Sequence, residues 1–322
     1  VDAGRSAILI LLLLTGMAYM TWFERRVISR LQVRIGPNRV GVGGLLQPLA
    51  DALKLFFKED IRPTRADWLL FPLAPAISLF AAIAAFAVVP LGPPVMVAGV
   101  QVPGAIATLS VGLLYLVGVS SLGVYGLVLG GWASGSKYSL MGGLRAAAQV
   151  VSYELILGMA LVSVAIVSGT LSLQGIVDGQ AGRLPYIVLQ PLAFVLYLIA
   201  AVAETNRAPF DLPEADTELV AGYHTEYGGM RFAMFFIAEY INVITVSALA
   251  ATVFFAGWSG PVLPGPHWLV IKMVVFLFLF VWLRATLPRL RYDQLMRLCW
   301  SVLLPLALVN LLATAIAVVV LG

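Results

Sequence analysis

The sequence predicts an all-α polytopic membrane protein with about eight transmembrane helices, an interfacial amphipathic helix, and both termini on the non-cytoplasmic side. Three observations carry this reading. Hydrophobic residues make up 61% of the 322 and charged residues only 11%, where a soluble domain has about a quarter charged. Mean hydropathy is +0.97, and apolar runs of roughly twenty residues recur, the length that crosses ~30 Å of hydrocarbon as helix. Lysine and arginine, finally, collect in alternate loops. Residues 1–322 form one membrane domain, with no soluble domain beside it.

Spans are expected at residues 6–27, 69–91, 104–129, 146–168, 184–203, 232–258, 268–287 and 300–321. The first contains Ile8–Met20, which resembles a signal-peptide core. Its apolar run continues to Phe23 and ends in ERR without a small-residue cleavage site, so a retained span is expected. The chain starts at Val1 rather than Met, and a short preceding tail is expected. Gly92-Pro93-Pro94 and the segment Gly260-Pro261 to Gly265-Pro266 separate later spans. No internal repeat is evident, against transporter folds built from two related halves. Arg25 to Arg65, Lys137 with Arg145, Arg207 with Arg231, and Arg284 to Arg297 fall on one side, which is therefore cytoplasmic. The net charge of +4 follows from this topology and implies no nucleic-acid partner.

The first cytoplasmic loop, residues 28–67, is more than a linker. Gly44 to Glu59 makes about 16 residues, or ~24 Å as helix, short for a span. Gln47, Asp51, Lys54 and Lys58 share one face, and Leu45, Leu46, Leu49, Leu53, Phe56 and Phe57 fill most of the remainder. This is the pattern of a helix lying in the membrane interface, either floating there or walling a cavity open to lipid. Arg25, Arg26, Arg30, Arg34 and Arg39 lead into it. Together with the acidic loop, they suit a pocket for a long-tailed amphiphile such as a quinone.

The acidic loop, residues 204–231, holds Glu204, Asp211, Glu214, Asp216, Glu218 and Glu226, six of the sixteen acids in the chain. Charge set between two spans is expensive unless it functions. Pro209 and Pro213 argue against continuous helix there. Glu154 lies nine residues past Arg145, and Glu239 eight past Arg231, which puts both carboxyls roughly 12–14 Å from the cytoplasmic ends of their helices. With Glu204 and Asp51, they form either static ion pairs or a polar half-channel for protons. Tyr115, Ser120, Ser121, Tyr125, Ser152 and Tyr153 stand beside these acids as hydrogen-bonding or packing groups.

Other chemistry is constrained by scarcity. One cysteine, Cys299, and two histidines, His224 and His267, leave too few ligands for a disulfide framework, an iron–sulfur cluster, a zinc site or a bis-histidine haem. Gly41-Val42-Gly43-Gly44 lacks the GK[ST] ending of a phosphate loop. Ser134 between its glycines has no preceding strand to make a nucleophile elbow. His224 reads as a loop donor and Cys299 as inert.

Four stretches carry a resemblance: ERRVISRLQVRIGPNRVGVGGLLQPLADALKLFFKED, GWASGSKYSLMGGLRAAAQVVSYE, AETNRAPFDLPEADTELVAGYHTEY with AEY at Glu239, and WLRATLPRLRYDQLM. In order, from first span to last, they resemble the H subunit of respiratory NADH–quinone oxidoreductase (complex I). The resemblance implies a heel subunit of an enzyme complex, joining the membrane arm to the peripheral arm. Quinone would be its substrate, the lipid bilayer and the other membrane and peripheral-arm subunits its partners, and a bacterial inner (plasma) membrane its location. Flavin, haem, iron–sulfur cluster and metal are expected on other subunits or not at all. The implied quinone-binding residues are Arg25, Arg34, Asp51, Lys54, Phe210 and Asp211. The implied proton path comprises Glu154, Glu204, Glu214, Glu218, Glu239 and Tyr153, with Arg145, Arg207 and Arg284 as charge partners. Ser121 replaces a glutamate of some members, and Asp216 stands where glutamate is common. The anchor subunit of a membrane-bound hydrogenase is an alternative within this class; a stand-alone ion-coupled transporter is one outside it.

Overall fold

A computed structural model describes residues 2–97, 100–213 and 220–321. Its helices are α1 (Asp2–Leu31), α2 (Gln47–Phe57), α3 (Leu70–Phe86), α4 (Gly112–Ser120), α5 (Leu122–Ala133), α6 (Lys137–Ser168), α7 (Leu173–Gln180), α8 (Tyr186–Leu189), α9 (Pro191–Glu204), α10 (Gly229–Phe254), α11 (Pro266–Thr286), α12 (Tyr292–Leu298) and α13 (Leu304–Leu321). The short strands β1 (Val95–Val97) and β2 (Val100–Val102) pair antiparallel, with Val95 opposite Val102.

Among the described residues, six helical stretches are long and apolar enough to cross a membrane, and α3 and α9 are shorter apolar helices. These eight stand where the eight spans were expected, and the protein is an all-α polytopic membrane protein. Two-thirds (67%) of the apolar stretch of α10 is buried within the bundle, which makes it the central helix. It packs on α3, α11 and α1, while α6 packs on α5, α9 and α13. Glycine brings these helices close: a Cβ on Gly126 would lie 2.0 Å from Ser78 Oγ, and one on Gly131 2.5 Å from the Ser139 carbonyl. Backbones of membrane helices approach this nearly only at small residues.

Three boundaries differ from expectation for local reasons. The third span starts at Gly112 rather than Gly104, because residues 104–107 bond to the end of α3 instead. Leu91 N donates to Gly104 O, and Ala107 N to Ala87 O, both at 3.0 Å. The fifth span is broken at Gln190-Pro191, where proline lacks the N–H a helix needs. Gln190 ties the break to α13, donating to Thr314 Oγ1 at 3.0 Å. The helix carrying Glu154 begins at Lys137, nine residues before the expected start of its span. Near the C-terminus, a π turn at Cys299–Leu303 widens the backbone just ahead of Pro305, whose ring and missing N–H disfavour a regular turn.

Candidate functional site: a lipid-side groove backed by buried acids

The amphipathic helix expected over Gly44–Glu59 is shorter, α2 spanning Gln47–Phe57 with Leu45, Leu46 and Lys58 outside it and Leu49, Leu53, Phe56 and Phe57 exposed. Pro48 sits in its first turn, where no N–H is required. It is held against α1 by Arg25, whose Nη1 donates to Asp51 Oδ2 at 2.6 Å, while Gln47 Nε2 donates to Asp51 Oδ1 at 3.1 Å. Between α1, α2 and α10 lies a groove of about 470 Å³, lined by Met17, Thr21, Leu49, Phe56, Met230, Phe232 and Phe236, with Arg25, Asp51 and Lys54 supplying its charge. An apolar wall with a few polar groups is the usual build of a small-molecule site.

One residue before Arg25, α1 turns Glu24 inward. This acid is 4% exposed, and no expectation from sequence included it. It accepts from Tyr240 OH at 2.6 Å and Arg207 Nη1 at 3.2 Å, and pairs with Arg284 Nη1. Arg207 also reaches Glu239, Nε to Oε1 at 2.7 Å, and its guanidinium lies 4.3 Å from the Tyr240 ring centroid. Two acids and two arginines thus meet in one cluster, with Asp211 in electrostatic range of Glu239.

The chain delivers Arg207 there by the way α9 ends. Asn206 takes a left-handed φ of 51°, a conformation asparagine tolerates at a helix C-terminus, and Arg207 N bonds back to Val202 O at 3.4 Å. Gln149 of α6 clamps the turn, its Nε2 donating to the carbonyls of Ala203 and Phe210 at 2.7 and 2.8 Å. Burial opposes the charge on Arg207, but Glu239 and then Glu24 outweigh it, so its pKa is raised.

A second pair of acids lies beyond the cluster. Glu204 is within electrostatic range of Glu154, with Ser120 in hydrogen-bonding reach of Glu204 and Ser121 in reach of Glu154. Neither acid has a cationic partner among the described residues, and Glu204 Oε2 is buried without a hydrogen bond. A cavity of about 50 Å³, lined by Ser120, Asn206 and Asn242, joins Glu204 to Glu239. Its lining mixes these polar groups with apolar side chains, and it is large enough for a water molecule.

The chain matches the family model described as NADH dehydrogenase over residues 5–315. It is 58% identical over 313 residues to the H subunit of NADH-quinone oxidoreductase from Thermomicrobium roseum, covering 94% of this chain and 92% of that protein. The corresponding protein of Syntrophotalea carbinolica is 54% identical over 302 residues, covering 94% and 91%. One such protein of Geobacter metallireducens is 54% identical over 314 residues, covering 98% and 95%. The chain belongs to the family of NADH-quinone oxidoreductase H subunits.

The residues expected at the site of this complex I membrane subunit divide into groups. Arg25, Asp51 and Lys54 line the groove. Arg34 is exposed in the preceding loop, outside the groove lining. Phe210 is buried against Tyr153, ring centroids 5.6 Å apart, and Asp211 lies in electrostatic range of Glu239, so both stand on the interior side. Arg207 and Arg284 meet acids, and Arg145 lies 5.9 Å from the Tyr292 ring centroid. Tyr153 donates to Leu295 O at 3.3 Å, away from Glu204. Glu214, Asp216 and Glu218 lie outside the described residues. Among the described residues, no group of three or more His, Cys, Asp or Glu is placed to hold a metal ion.

Proposed function

We propose that this membrane subunit forms the quinone-binding chamber of a proton-pumping NADH:quinone oxidoreductase together with the peripheral arm, and relays quinone chemistry to proton movement through its buried acids. The observation that carries the reading is the adjacency of Glu24 and Arg25 on α1. Arg25 pairs with Asp51 in the groove, while Glu24 anchors the buried cluster. A change of charge in the groove is therefore felt one residue away from the acids inside. α10 repeats the arrangement, with Phe232 and Phe236 on the groove and Glu239 and Tyr240 inside.

Quinone enters laterally between α1, α2 and α10, its tail on the apolar wall. Its headgroup reaches Arg25, Asp51 and Lys54 on the way to an electron donor on another subunit. Arg34, exposed on the same loop, is placed to face the peripheral arm. The route for charge then runs from the Glu24–Arg207–Glu239 cluster across the water-sized cavity to Glu204 and Glu154. Glu214 and Glu218 of the acidic loop, outside the described residues, are assigned to the same route, and Asp211 to the quinone side. In this reading, that loop and α2 face the cytoplasm, both termini face outward, and the complex sits in a bacterial inner membrane. The redox centres belong to neighbouring subunits.

Asp51→Asn in the assembled complex tests the groove. Lower quinone reductase activity with a raised KM for quinone is expected, while NADH oxidation by a hydrophilic artificial acceptor stays unchanged. An unaltered rate and KM would remove Asp51 from the quinone site.

A further inference from the structure

We propose that a second pocket, between the start of α3 and the turn joining α5 to α6, binds the headgroup of an anionic phospholipid. It measures about 490 Å³ and is lined by Arg65, Asp67, Trp132, Lys137 and Leu140 among others, none of which lines the quinone groove. Two contacts build it. Asp67 N donates to Ala133 O at 3.0 Å, pinning the loop before α3 to the end of α5. Gly135, at a φ of 65°, lets the turn close on that loop: a Cβ there would lie 2.7 Å from the Arg65 carbonyl oxygen.

The pocket's charge points to an anion. Arg65 and Lys137 are exposed, and neither forms an ion pair among the described residues. The acid in the lining, Asp67, is already engaged, its Oδ1 accepting from the backbone N–H groups of Leu69 and Leu70 at 2.9 Å each. Those bonds, that of Leu70 first, hold its carboxyl below the usual carboxylate range. Asp67 therefore keeps its charge at the start of α3, and with Arg65 and with Lys137, whose ammonium lies 5.3 Å from the Tyr138 ring centroid, the lining carries one net positive charge.

The surroundings point to a lipid rather than a protein side chain. Trp68, Trp132 and Tyr138 are exposed by 71%, 63% and 47% at this end of the bundle, the aromatic belt expected where headgroups lie. Further along α3 and α6, Leu73 and Leu144 are exposed and offer a surface for acyl chains. Phosphatidylcholine brings its own cation, which Arg65 and Lys137 repel. Phosphatidylglycerol presents the phosphodiester alone, and bidentate contact with a guanidinium suits it.

The test uses the intact complex in phosphatidylcholine nanodiscs carrying trace benzophenone-labelled phosphatidylglycerol, with photolabelling of residues 132–144 read by peptide mass spectrometry. Labelling is expected in the wild type, about tenfold lower in R65Q/K137Q, and restored in R65K/K137R. Benzophenone-labelled phosphatidylcholine should mark the three proteins weakly and equally. NADH oxidation with an artificial acceptor confirms equal assembly. Equal labelling by both lipids, or full labelling of R65Q/K137Q, would overturn the proposal. So would absent labelling with Lys137 instead joined by carbodiimide to a carboxylate of another subunit.

Discussion

The two groups of buried acids differ in compensation. Glu24 and Glu239 share Arg207 and Arg284, with Tyr240 closing the set. Glu154 and Glu204 lie in electrostatic range of each other, with serine hydroxyls in reach and no cationic partner among the described residues. In a low-dielectric interior, a matched set holds its charge and geometry, and removing one member leaves another charge stranded. An unmatched pair is the reverse: charge on one acid raises the cost of charge on the other, so its state changes with small rearrangements. The first group holds its acids against arginines, and on the proposed reading the second is the pair that exchanges protons. One structural element, the loop that follows α9, separates them, carrying Arg207 to one side while Glu204 closes the helix on the other.

The largest effect should therefore come from the matched set. Arg207→Gln is expected to destabilise the protein by about 3–5 kcal/mol, the cost of breaking a buried pair from one side. Its readout is loss of assembled complex and a lower Tm of what remains. Restoring balance with a second change, Glu239→Gln, should recover part of that assembly. Normal assembly in Arg207→Gln would mean that the cluster is not paired as described.

Glu204→Gln should act on the other side of the comparison. Assembly and NADH oxidation by an artificial acceptor should persist, because Glu204 has no ion pair among the described residues. Quinone-coupled proton pumping should fall by about tenfold or more, as for removal of a positioned proton carrier. Proton uptake by closed vesicles against NADH consumption measures it, and parallel loss of both activities would place Glu204 with the structural acids instead.

The groove offers a smaller effect, since the Arg25–Asp51 pair is half exposed and such pairs contribute about 0–1 kcal/mol. Asp51→Asn should raise the KM for quinone by about three- to fivefold on that scale, with assembly intact. A larger fall in kcat than in affinity would move Asp51 from the groove towards the coupling apparatus.

Much of this was legible in the sequence, and the omissions have physical causes. Span positions follow from apolar length, so all eight appear in place. The stripe of α2 follows from 3.6-residue periodicity, and its Asp51 meets Arg25 as part of the expected pocket. Glu24 was hidden because ERR reads as the charged flank that ends a span. The resumption of apolar residues at Val27-Ile28 was the available signal, for α1 continues to Leu31 and leaves Glu24 two turns from its end. Gln149 and Asn242 were not legible, because an amide in a span carries no mark of which helix it faces. Residues 104–111 looked helical by composition, yet tertiary bonds to the end of α3 hold them out of helix. Tyr153 sits beside Glu154 in sequence but points to Leu295 on another helix, since neighbours in a helix face different directions.

The smallest predicted effect probes how the unmatched pair is tuned. Ser121 is the C-cap of α4 and immediately precedes α5, and its hydroxyl lies in reach of both Glu154 and the Gly118 carbonyl, 2.9 Å away. A hydroxyl with one proton serves only one of them at a time. Ser121→Ala removes that choice, and a single hydrogen bond of this kind is worth about 1 kcal/mol. Pumping should slow by about fivefold, with quinone reduction in uncoupled membranes unchanged. Ser121→Thr, which keeps the hydroxyl, should pump near the wild-type rate. Were Ser121→Ala also to lower uncoupled turnover, the residue would belong to the packing of the α4–α5 joint, and the exchangeable pair would reduce to Glu204 with Glu154 alone.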